Sequence, residues 1–143
     1  MQYITHQIGK IMWFHYFFYF LYNHYGKPKW KEQNIPFFST VLGIAALQII
    51  NFAAVKDFIL FHLLNSRNLY FKNDTFIVPT VFIAFNFWYF WHGTRYKHIL
   101  KQFNNRTKEE KQPYRIVSWI YIVVSILFVI LMGYTVRNNI KWW

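Results

Sequence analysis

Any chemistry in this chain has to come from histidine, amide, hydroxyl and basic side chains, because the other reactive types are scarce. There are no cysteines, and there are five acids among 143 residues. The lack of cysteine excludes disulfides, thiolate metal sites and cysteine nucleophiles. Glu32, Asp57 and Asp74 are scattered, and Glu109–Glu110 stand among lysines. No carboxylate pair for acid–base work is expected from them. Phosphate-cradling glycine loops, dinucleotide fingerprints and nucleophile elbows do not occur. His15, His62 and His92 lie in or near apolar runs, where two histidines of a bundle can hold haem. However, no two histidines are three or four positions apart on one helix, as helical metal motifs require. The expectation is a chain with no catalytic residue, no metal and no cofactor, and hence not an enzyme.

What remains are polar residues inside apolar runs. Gln48 and Asn51 share one side of a helix with Thr40 and His62, while Asn86 lies on another helix, on a stripe with Thr75, Pro79 and Gly93. Ser118 and Ser125 are seven apart on a third, so they fall on one face. Two uses fit such residues. They hydrogen-bond between helices, which contributes about 0.6–2 kcal/mol per contact in a membrane. Alternatively they line a hydrated path or pocket. Lys56 and Asp57 follow the second run directly. They belong either at an interface, where Lys56 snorkels, or within the apolar layer, where a charge marks function.

The other candidate surface is the connector His92–Arg115, which carries Arg95, Lys97, Lys101, Arg106, Lys108, Lys111 and Arg115 against Glu109 and Glu110. Such a stretch orients a membrane protein and attracts anionic lipid, at about 1 kcal/mol per basic residue near the surface. The sharper reading is an anionic ligand such as a nucleotide or oligonucleotide. Its phosphates would pair with the basic residues, and Tyr96 or Phe103 would stack a base.

The elements that position these residues follow from composition and apolar run length. The chain is 55% hydrophobic and 24% aromatic, with a net charge of +11. A soluble domain of this size has too little interior for so many aromatic rings. Four stretches lack charge: Ile11–Gly26, Gln33–Val55, Thr75–Thr94 and Ile116–Val136. The last three approach or exceed the roughly 20 residues that cross a bilayer as a helix. The first is shorter and strongly aromatic, and it either spans or lies at the interface. It has no small-residue cleavage site after its apolar run, so it does not read as a signal peptide. The fold expected is all-α: a single membrane domain over 1–143, an integral membrane bundle of four helices near 8–25, 36–64, 75–103 and 114–137.

Two details of that division rest on local signals. Tyr96, Ile99, Leu100 and Phe103 recur at helical spacing among polar residues, so the third helix is expected to continue past the membrane as an amphipathic segment. Thr107 and Glu110 match a capping box. Pro113 stands so close behind them that the last helix is expected to begin only after it. Lys27, Lys29 and Lys31 are expected in a turn between the first two helices, and Asn65–Asp74 in a short loop.

Basic residues concentrate in the first and third connectors, so the positive-inside rule places both in the cytoplasm. With four spans both termini are outside; with an interfacial first helix the N-terminus moves inside and the connectors keep their sides. Heavy use of Phe, Tyr, Ile, Asn and Lys is the composition of an AT-rich genome, and a bacterial inner membrane is the expected location. In size, span count and basic connector the chain resembles small multi-span membrane effectors of bacterial defence or toxin systems. The resemblance carries over no residues. It implies a homo-oligomeric channel or pore-forming effector, gated by an anionic ligand at the basic face. The competing expectation is an accessory or structural subunit that packs against partner membrane subunits.

Overall fold

The computed structural model describes residues 2–26, 35–64 and 74–141, with side chains described for 12–26, 35–64 and 76–141. The connector with Lys27, Lys29 and Lys31, and the loop before Asp74, lie outside the described residues apart from Gly26. All the regular structure described is helical. Helix α1 is Gln2–Tyr25, and α2 is Ile35–Asp57, which runs on through a π-helical turn at Phe58–Leu63. Helix α3 is Asp74–Trp91, α4 is Arg95–Asn104 and α5 is Lys108–Arg137.

Two of these are long and apolar enough to cross a membrane: Ile35–Leu63 with 29 residues and Lys108–Arg137 with 30. At 1.5 Å per residue they reach about 43–45 Å, more than a hydrocarbon core of about 30 Å. Only 28% and 17% of their most apolar stretches are buried within the chain. The core helix of a soluble protein is mostly buried, and these are not. Along α5, Ile116, Ile120, Val124, Leu127, Ile130 and Tyr134 are each more than half exposed. On α3, Phe76, Ile77, Val81, Phe85 and Trp88 are exposed to the same degree.

Helix α2 is the central element, packed against α1, α3 and α5. Phe37 meets Trp91 and Phe52 meets Phe82, so α3 runs antiparallel to α2. Asn51 meets Tyr121 and Ser125, while Phe61 meets Lys141, so α5 runs parallel to α2. The three helices therefore alternate in direction.

The core lies at one end of this array. It joins Tyr16, Phe17, Phe18 and Leu21 of α1 to Phe37, Val41 and Ile44 of α2, Phe90 of α3, and Tyr96, Ile99 and Phe103 of α4. Phe18 and Phe90 stack with centroids 4.3 Å apart, and Phe14 tilts onto the same Phe90 ring. Such pairs contribute about 0.5–1.5 kcal/mol beyond area burial. The described side chains of α1 meet α2 at Phe37 and Gly43, α3 at Tyr89, and α5 at Tyr114, Trp119 and Tyr121. Helix α1 thus closes that end of the array.

Besides α1, which begins at Gln2 and not near 8, two expectations about helix boundaries are corrected. The helix expected over 75–103 is broken. Gly93 and Thr94 both have left-handed backbone, at φ 59° and 55°. Their reversal turns α4 back, so that its apolar face reaches Phe37 and α1. A straight continuation would have left Tyr96, Ile99 and Phe103 in water. The second correction is the start of the last helix, which begins at Lys108 and not near 114. The capping box forms, with Thr107 Oγ1 accepting from the Glu110 N–H at 3.3 Å and Glu110 Oε2 accepting from the Thr107 N–H at 3.1 Å. Pro113 falls within the second turn, where it deprives only the Glu109 carbonyl of a partner. Both residues are exposed, so that carbonyl is open to water.

Candidate functional site

The polar residues within the apolar helices come together in pairs. Asn86, fully buried on α3, donates from Nδ2 to Gln48 Oε1 of α2, and to the Phe82 carbonyl at 2.8 Å. Asn51, on the next turn of α2, donates from Nδ2 to Tyr121 Oη and to Ser125 Oγ of α5, both at 2.9 Å. One polar side of α2 therefore bonds to α3 and the following turn bonds to α5. These are the interhelical bonds that an apolar layer rewards, since an unpaired amide there costs several kcal/mol. Asn86 Oδ1 is buried with no partner. Ser118 does not join the cluster, because its Oγ donates to the Tyr114 carbonyl of its own helix at 2.8 Å. Thr40 does the same with the Pro36 carbonyl at 2.6 Å.

Of the histidines, His15 Nε2 shares a hydrogen bond of 3.0 Å with Tyr89 Oη, tying α1 to α3. His62 lies against Phe58 and Phe61, and His92 against Trp88. Among the described residues no group of three or more His, Asp and Glu is placed to hold a metal ion.

The seven basic residues of the connector take different partners. Arg95 lies over the Tyr89 ring at 4.3 Å and Lys97 beside its neighbour Tyr96 at 5.8 Å, with exposed Lys101 further along α4. Arg106 folds over Phe103 at 5.1 Å, its Nη2 3.7 Å from Met12 Sδ. Lys108, Lys111 and Arg115 instead line a single groove of about 590 Å³ between α1 and the start of α5. They recur at i, i+3 and i+7, on one helix face. Glu109 and Gln112 complete its polar rim. Tyr16 and Tyr19 form its α1 wall, with Ile116 and Trp119 below. Lys111 is held over the Tyr19 ring at 5.5 Å, and Tyr19 Oη donates to Asn104 Oδ1 at 3.2 Å.

The base-stacking role expected of Tyr96 or Phe103 is corrected by burial. Phe103 is wholly inside the core and Tyr96 is 8% exposed, so neither ring presents a face to a ligand. Sequence reading also missed partners that only folding supplies. Tyr121 bonds Asn51, and Tyr16, Tyr19 and Trp119 enclose the groove. Trp119 does follow Arg115 at i+4, which is the one signal that could have found it. No family model, curated protein or solved structure matches this chain.

Proposed function

We propose that this chain is a non-enzymatic multi-pass protein of a bacterial inner membrane, acting as an accessory or structural subunit through its outer surface. In this reading α2, α3 and α5 cross the bilayer, α1 lies across the basic end, and that end faces the cytoplasm. The observation that carries it is the pairing of Gln48 with Asn86 and of Asn51 with Tyr121 and Ser125. Polar groups that a pore would turn toward water are bonded to one another inside one chain. What α3 turns outward, and α5 from Ile116 on, is mostly apolar, a surface suited to lipid and to the helices of a partner.

The chain purified in mild detergent is expected to be monomeric, or in fixed ratio with another membrane protein, and to leave planar bilayers non-conducting. A defined homo-oligomer with unitary conductance would replace this reading with the ligand-gated pore.

A further inference from the structure

We propose that the groove between α1 and the first turns of α5 binds the phosphate headgroup of one anionic phospholipid, with its acyl chains lying along α5. The proposal rests on the membrane reading above and adds a defined site to it. Three cations, Lys108, Lys111 and Arg115, face the groove against one carboxylate, Glu109. The local balance is thus positive, and it lies at the end of a helix long enough to cross a bilayer. Glu110 is occupied in the capping box. Arg115 supplies a planar fork that suits phosphate oxygens bidentately, and the lysines supply point charges beside it.

What separates this groove from a diffuse basic patch is its apolar lining. Ile116 and Trp119 line it beside the cations, with Trp119 one turn beyond Arg115 on α5. Counting on by helical turns, the same face carries Ile126 and Ile130, which are 46% and 62% exposed. A headgroup among the cations therefore delivers its chains onto the exposed apolar residues Val123, Ile126 and Ile130. Trp119 sits at the junction, edge-on to Phe20 of α1, where an indole bridges the wet and dry parts of an interface. A soluble phosphate ligand would make no use of these residues. On α4 itself the apolar residues Tyr96, Ile99 and Phe103 are buried, so that helix carries its cations with no exposed apolar strip of its own.

The test uses the full chain in detergent, titrated with phosphatidylglycerol and read by native mass spectrometry. Phosphatidylcholine, glycerol phosphate and inorganic phosphate serve as comparison probes. One phosphatidylglycerol is expected to bind in preference to phosphatidylcholine. The triple change Lys108→Gln, Lys111→Gln, Arg115→Gln should weaken it about a hundredfold, from about fivefold per charge. Arg95→Gln, Lys97→Gln, Lys101→Gln removes as much charge from α4 and should change it only a few-fold. Arg115→Lys, which keeps the charge but loses the bidentate fork, should weaken binding, though by less than Arg115→Gln. Equal weakening by the two triple variants would overturn the site in favour of diffuse attraction. Inorganic phosphate or glycerol phosphate displacing the lipid at the lipid's own concentration would overturn the lipid as the ligand. Flotation of the wild-type chain with phosphatidylcholine vesicles separates the two levels. A chain that floats but shows no selective site loses this proposal alone, and one that does not float loses the membrane reading with it.

Discussion

Asn51 shows how much a single amide does when it is placed between two apolar helices. One Nδ2 group serves both Tyr121 Oη and Ser125 Oγ, so this side chain sets the register of α2 against α5. Asn86 does the equivalent for α2 against α3, with its Oδ1 left unpartnered. Asn51→Leu removes both bonds across the α2–α5 seam. It is expected to lower stability in detergent by about 1–2 kcal/mol, given the 0.6–2 kcal/mol of such contacts. Asn51→Leu combined with Tyr121→Phe should cost less than the sum of the two single changes, because the phenol no longer waits for a donor. Thermal unfolding of the two single variants and the double variant measures this directly. Additive costs would show that the 2.9 Å contact with Tyr121 carries no coupling. A pore built on Gln48, Asn51 and Asn86 would have to break these pairs to wet its wall. The pairing therefore bears on function as much as on stability.

At the scale of elements, the decisive feature is the reversal between α3 and α4. Gly93 adopts its left-handed φ freely, but Thr94 is β-branched and sits at φ 55°. That conformation costs a non-glycine residue about 1–2 kcal/mol. The burial of Tyr96, Ile99 and Phe103 offsets it, since about 1.5–3 kcal/mol accompanies each large apolar side chain removed from water. Thr94→Gly is expected to relieve the strain and raise the thermal midpoint by a few degrees, although the more flexible unfolded chain takes back part of the gain. A lower midpoint would mean that Thr94 makes a compensating contact. The same reversal brings Asn104 to Tyr19 and sets the start of α5 beside α1. The groove at Lys108, Lys111 and Arg115 is thus a consequence of the turn as well as of the charges.

For the whole molecule, α2 and α5 run in one direction and α3 in the other, with the aromatic core and the basic residues of the connector at one end. Lys56, Asp57 and Arg137 fall toward the opposite end. This polarity predicts sidedness. The chain has no cysteine, so single replacements Lys101→Cys and Arg137→Cys can be labelled on a clean background. In intact spheroplasts an impermeant maleimide is expected to reach position 137 and to reach position 101 only after lysis. The reverse pattern would invert the proposed orientation, and labelling of both positions before lysis would reject the crossing by α5.

Much of this was legible in the one-dimensional pattern. The helix near 36–64, the later part of α1, the amphipathic stretch around Tyr96–Phe103, and the polar residues Gln48, Asn51, Asn86 and Ser125 could all be read from period and hydropathy, because these are local properties. The absence of cysteine and the scarcity of acids likewise bound the available chemistry without any coordinates. Only the tertiary structure decided where the third helix breaks. Two left-handed residues are repaid by contacts with α1 and α2, which are remote in sequence. It also decided that Pro113 lies within α5, since an exposed second turn tolerates one lost bond. Most of all it decided which of seven similar cations act together. Charge density along the chain treats Arg95 and Arg115 alike, whereas packing turns one onto Tyr89 and the other into a groove above Trp119.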